Sequence, residues 1–179
     1  VGLHLQHWGI SPERITELDW WQTAQLGRSE FTLTPARHFS GRKFELRNKT
    51  LWGGWVVESQ EQRVYFTGDS GYGPHFKAVS QRFGSLDLAL IETGQYNERW
   101  PNIHMMPEQG VQAAIDAKAK VMMPVHWGAF TLSLHPWNEP PERAVAEAKR
   151  RGQAIVVPKI GEILQLSQTK QPSGWWRDY

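Results

Sequence analysis

The 179 residues predict an α/β fold (α+β layered), a mixed sheet with helices on its outside. Three observations carry that expectation. Residues 30–35, 50–58 and 63–67 read as strands, and the last two are joined by a turn at Gln60, Glu61 and Gln62, as in an antiparallel hairpin. Beyond residue 68 the pattern changes to alternation of strand and helix. The run LDLALIE at 86–92 is almost continuously apolar, the mark of a buried strand.

In chain order, residues 1–12 form a short aromatic segment that ends in a turn of Gly9, Ile10, Ser11 and Pro12. Residues 15–18 suggest a brief strand. The alternation over 30–35 is that of a half-buried strand, and it delivers His38. Gly68 opens a tight loop that reaches Gly73, and Pro74 suits the first turn of a helix running to 83. A helix over 107–117 begins with Pro107 and has Glu108 in its first turn, where a negative charge is favoured. Strand 121–125 follows, then a helix over 141–151 ended by Gly152. Short strands at 155–157 and 163–166 complete the domain, and 167–179 reads as a peripheral C-terminal tail.

Composition excludes several function classes. Hydrophobic content of 40% and charged content of 21% describe one ordinary globular domain. The formal charge of +2 has no dominant basic run, since KRRG at 149–152 is short and ends a helix, so no nucleic-acid footprint is expected. The chain lacks cysteine, which rules out disulfides, thiolate zinc ligands and cysteine nucleophiles. No apolar stretch approaches the roughly 20 residues of a membrane span. The opening VGLHLQHWG is not a signal peptide and has no leading Met, so a processed or truncated piece is expected. Ten tryptophans suit pocket walls and interfaces as well as core packing.

Three potential metal ligands stand where extended apolar runs give way to loops: His38 in PARHFSG, Asp69 in YFTGDSG and His126 in VMMPVHWG. Such positions aim side chains at the rim of a sheet. Each has a plainer reading. Asp69 could close an Asx turn before Pro74, His38 could face solvent, and His126 could be a satisfied, half-buried histidine. His104, in ERWPNIHMMPEQG, could supply a proton, bind an anion or only cap a helix. His135 is equally ambiguous, and His4 and His7 belong to an apolar edge. Glu92 could orient a ligand or cap the loop at Gly94. Tyr96 and Arg99 could face a pocket, and Arg42 a phosphate.

The runs PARHFSGR, LWGGWVV, VYFTGDSGYGPHF, RFGSLDLALIETGQY and PVHWGAF resemble the metallo-β-lactamase superfamily over most of residues 1–166. The branch they are most similar to is the N-acyl-phosphatidylethanolamine-hydrolysing phospholipase D group and its bacterial relatives. The resemblance implies the C-terminal half of an αβ/βα sandwich with a dinuclear zinc site at one edge. It implies His38 on one metal, Asp69 bridging both and acting in catalysis, His126 on the other, and His104 positioning or polarising a phosphate. The implied reaction is attack of metal-activated water on a phosphodiester, in a phospholipid or another organophosphate. It also implies contact with a membrane surface without a spanning segment, and a cytoplasmic place peripheral to the membrane.

The family's HxHxDH motif is absent, and HLQHWG at 4–9 does not replace it. Residues 1–166 are therefore expected to be a partial domain lacking that half. Each metal is left short of ligands, so zinc binding by the chain alone should be weak or absent and the chain inactive. Exposed apolar surface and a homodimer through it are further expectations. A lactone, thioester or amide hydrolase of the same fold, and a non-catalytic interaction piece, are the competing readings.

Overall fold

Strand direction is the first thing to establish, because it decides where loops collect. The protein's structure, a computed structural model, describes residues 1–41, 47–169 and 171–179. Seven strands form one sheet in chain order: β1 (Thr23–Leu26), β2 (Ser29–Thr34), β3 (Gly54–Glu58), β4 (Arg63–Phe66), β5 (Leu86–Glu92), β6 (Ala119–Val125) and β7 (Ala154–Ile155). Neighbours from β1 to β4 pair antiparallel, and those from β4 to β7 pair parallel. The helices are α1 (Gly2–His7), α2 (His75–Phe83), α3 (Pro107–Asp116) and α4 (Glu139–Arg151). The last three connect successive parallel strands that advance in one direction. Right-handed crossovers then put all three helices on one face of the sheet.

That face is the core. Val56, Tyr65, Ala89, Ile91 and Met122 point into it from successive strands, at alternate positions as the strand period requires. Phe76 and Val79 of α2, Val111, Ala113 and Ala114 of α3, and Ala144 and Ala148 of α4 meet them. Alanines where α3 faces α4 let the two helices approach closely. The opposite face is apolar as well. Phe31, Trp55, Val57 and Phe66 line an open recess of about 550 Å³ there, and Phe66 is 42% exposed. An exposed apolar surface was expected, and it lies on this side of the sheet. No helix among the described residues is long and apolar enough to cross a membrane.

Several elements depart from the sequence reading. Residues 15–18 are not a strand; Glu17 instead accepts hydrogen bonds from the Val1 ammonium and the Gly2 N–H, which ties down α1. The extra strand is β1, joined to β2 through Gly27 and Arg28, with Thr23 and Thr32 sharing a hydroxyl–hydroxyl bond of 2.8 Å. Residues 163–166 form no strand among the described residues: Ile163 is 86% exposed, and a 3-10 turn follows at Leu166–Gln168. Helix α4 starts two residues before the expected 141, because Pro140 and Pro141 both fit its first turn, where no N–H is needed. The final segment is not wholly peripheral. Trp176 is 1% exposed in the core and donates to Glu142 at 2.8 Å, while Arg177 grips the same carboxylate at 2.5 and 2.7 Å. Arg42 lies outside the described residues.

The Trp176→Ala variant should lose about 3–5 kcal/mol of unfolding free energy, the usual range for a buried large aromatic. Urea denaturation measures it. A loss below about 1 kcal/mol would show that the final segment is an ornament on the core, since surface changes stay near that level.

Candidate metal centre

Strand β2 runs in the same direction as β4, because each is antiparallel to β3. With β5 and β6 parallel to β4, four strands end at one edge of the sheet. The segments leaving those ends carry His38, Asp69, Glu92 and His126, and His104 lies in the connection from β5 to α3. The carboxyl edge of parallel strands is where open α/β sheets place ligand sites.

Close backbone contact holds these segments in register. Arg37 and Gly71 form an isolated antiparallel bridge, and the Arg37 N–H also donates to the Ser70 hydroxyl at 3.0 Å. Ser70 in turn lies 3.1 Å from His75 Nε2. A Cβ at Gly71 would collide with the backbone of Asn102, and one at Gly94 with the carbonyl of His126. These two glycines therefore seat the His104 connection against the Asp69 loop and the His126 turn against the Glu92 strand. His126 itself has φ of 67°, a left-handed backbone that β6 must hold in place as it turns outward.

His104 is near both other rings: its centroid lies 5.3 Å from that of His126, with the rings stacked, and 5.3 Å from that of His38, edge-on. His126 Nε2 stands 3.8 Å from Asp69 Oδ1, too far for a hydrogen bond. Two ligand atoms on one tetrahedral zinc are about 3.3 Å apart, given bonds of about 2.05 Å, so this pair needs only a small closure. His38, Asp69, His104 and His126 share an open cleft of about 390 Å³ with Phe39, Trp100, Ile103 and Leu132. Among the described residues, potential ligand atoms of Glu92, His104 and His126 all lie within 4.8 Å of one another, consistent with one metal position.

Electrostatics favours a cation here. Desolvation lowers the pKa of His126, with the neighbouring His104 and His38 pushing the same way and Asp69 opposing. Desolvation also lowers that of His104 against the pull of Asp69. Both shifts favour the neutral ring, the form in which imidazole binds a metal. Glu92 is fully buried, and burial pushes its carboxyl well above the usual range; N–H groups of Met105, Ser70 and Gly94 pull it back and Asp69 pushes it further up. Imidazole nitrogens with carboxylate oxygens are a donor set for zinc and other borderline divalent ions.

The other candidates sit elsewhere. The His135 ring stacks on Tyr96 at 4.2 Å and accepts from the Gln95 N–H at 2.9 Å, so it braces a loop. The Tyr96 hydroxyl donates to Glu139 at 2.6 Å. The Arg99 N–H bonds Asn97 in an exposed turn, and His4 and His7 lie on α1, away from the cleft. The bond between Ser70 and His75 had no signal in the sequence, since neither residue ends a strand. Glu92 stood in the sequence as a residue that could orient a ligand or cap the loop at Gly94, with nothing there to choose between the two.

A single sheet with a helical layer and nitrogen and oxygen donors gathered at one edge defines a class of metal-site proteins. Residues 1–127 match the family described as the Beta-lactamase superfamily domain, and the chain belongs to that family. An uncharacterized protein of Mycobacterium tuberculosis is 43% identical over 180 residues, covering 99% of this chain and 48% of its own length. The N-acyl-phosphatidylethanolamine-hydrolyzing phospholipase D 1 of Caenorhabditis elegans is 30% identical over 186 residues, covering 93% of this chain and 52% of its own. The chain thus spans about half the length of these relatives. Igni18, a metallo hydrolase of Ignicoccus hospitalis, superposes with a TM-score of 0.71 at 20% identity over 90% of this chain and 64% of its own, a likeness of fold alone.

His75 gives a pH prediction away from the donor cluster. Burial, with the charge of Arg37 adding, lowers its pKa from 6.5 to about 4 in the folded protein. The unfolded chain therefore takes up this proton first. Stability from the neutral ring is full above the unfolded pKa and is lost as pH falls toward the folded one. Urea unfolding between neutral pH and pH about 4 should show the wild type losing about 3 kcal/mol more than His75→Gln. Parallel pH curves for the two proteins would contradict this.

Proposed function

We propose that the polypeptide to which this chain belongs is a zinc-dependent hydrolase acting on a phosphodiester, in a phospholipid or another organophosphate. The observation that carries the reading is the approach of His126 Nε2 to Asp69 Oδ1 at 3.8 Å, in a cleft that His38 and His104 also line. The donors fit zinc in type, and His38, Asp69 and His126 are the residues that would hold it. Bound zinc would supply an activated water and charge stabilisation for the phosphate. Two histidines and one carboxylate do not fill two zinc shells, so the second position needs donors beyond these 179 residues, such as an HxHxDH run.

The chain's own residues would do the rest. Trp100, Ile103 and Leu132 give the cleft an apolar wall suited to an acyl or other hydrocarbon group. His104 borders the same cleft and would face the cation and the reacting group together. The Caenorhabditis elegans relative, whose name specifies a phospholipid diester substrate, supports phosphodiester cleavage.

Metal analysis of the protein expressed from its whole reading frame is the first test. Zinc should copurify with the wild type and fall sharply in Asp69→Ala. A wild type without metal, or a variant that keeps it, would remove the proposal. Activity should then appear on a phosphodiester and be lost by at least about 100-fold in Asp69→Ala, as expected when a metal ligand is removed. Turnover of a lactone or thioester with none of the phosphodiester would keep the metal site and overturn the substrate class.

A further inference from the structure

Glu92 is a wholly buried carboxylate at the end of β5, and its two oxygens are separately engaged. Oε1 lies 3.1 Å from His104 Nδ1, and Oε2 accepts the Met105 N–H at 3.1 Å. Its own N–H donates to the Thr67 hydroxyl at 3.1 Å, which pins the end of β5 to the segment that leads into Asp69. His104 makes no other hydrogen bond among the described residues, and its ring borders the cleft between His38 and His126.

We propose that Glu92 is a positioning residue for His104: it holds the ring in the Nδ1–H tautomer and leaves Nε2 as a bare acceptor for the cation of the cleft. Which ring nitrogen carries the proton is set by the hydrogen bond the other one makes. A carboxylate fixed by a backbone N–H is an acceptor and fits an imidazole N–H donor. Direct ligation of a cation by Glu92 is the weaker role, because both oxygens are already engaged within the buried interior. The consequence for zinc rests on the metallohydrolase reading above; the tautomer does not.

The substitution Glu92→Gln separates the two roles through hydrogen-bond arithmetic. A glutamine has one acceptor oxygen and one NH₂ group. The buried Met105 N–H needs the oxygen, so the NH₂ group turns toward His104 Nδ1 and forces the proton to Nε2. Size and burial stay nearly the same.

Long-range proton–nitrogen NMR on ¹⁵N-histidine-labelled, metal-free protein at neutral pH reads the tautomer, with His104→Gln assigning the signals. The wild type should show His104 protonated on Nδ1, and Glu92→Gln should show it on Nε2. Zinc titration should then show an affinity about 10–100-fold weaker in Glu92→Gln, the usual effect of losing an orienting partner. An Nε2–H ring in the wild type, or an unchanged tautomer in the variant, overturns the proposal. A changed tautomer with unchanged zinc affinity overturns the claim that Nε2 serves the cation. The wild-type spectrum decides the first point even if the variant does not fold. Zinc refused by a wild type with the expected tautomer would instead defeat the proposed function and leave the orienting role of Glu92 in place.

Discussion

Because β2, β4, β5 and β6 all run the same way, their ends fall on one edge of the sheet, and the donor side chains fall with them. No local motif could achieve this. His38 and His126 are separated by most of the described sheet in sequence, and their rings each come within 5.3 Å of His104 only through strand pairing. The hydrogen bonds of β2 to β3 and β3 to β4 therefore position the site as surely as the bonds within it. Past the strand ends, the Arg37–Gly71 bridge joins the segment after β2 directly to the segment after β4. A loop held by a backbone ladder keeps its side chains close to one geometry, which a cation site needs if binding is not to be spent on ordering the ligands.

Burial is graded across the donors. Glu92 and His104 are nearly sealed, while Asp69 is 46% exposed and His126 35%. The sealed pair is internally satisfied, and the open pair stands 3.8 Å apart with no bond between them. Charges that have found partners can be buried, and groups that still await one must stay accessible. That division gives Glu92 the orienting role and leaves Asp69 and His126, with His104 Nε2, to face a cation.

The core strands and the principal helices were legible because each repeats one period for long enough to be read. His38, Asp69 and His126 were legible for a related reason: a polar residue that ends an extended run must lie at a sheet rim. Strand β1 escaped notice because Thr23 and Gln25 are polar and its stability comes from pairing with β2. The buried role of Trp176 was hidden inside a polar segment, where only the partner Glu142, on α4, reveals it. The strand read at 163–166 had the right residue types but pairs with no strand among the described residues. Propensity describes what a segment can do, and tertiary pairing selects among the possibilities.

Glu92 shows the limit most clearly. Its place at the end of LDLALIE marks it as buried, but burial alone does not distinguish a loop cap from an orienting carboxylate. The distinction lies in His104, twelve residues later, and the turn around Asn102 and Gly71 is what brings the two together. Gly71 touches Asn102 while its neighbour Ser70 holds Arg37, so the loop that carries Asp69 braces the His38 segment on one side and the His104 segment on the other. A side chain at Gly71 would thus disturb three donors without touching any of them. The tolerance of this site to mutation is set by backbone contacts between loops at least as much as by the identity of the ligands.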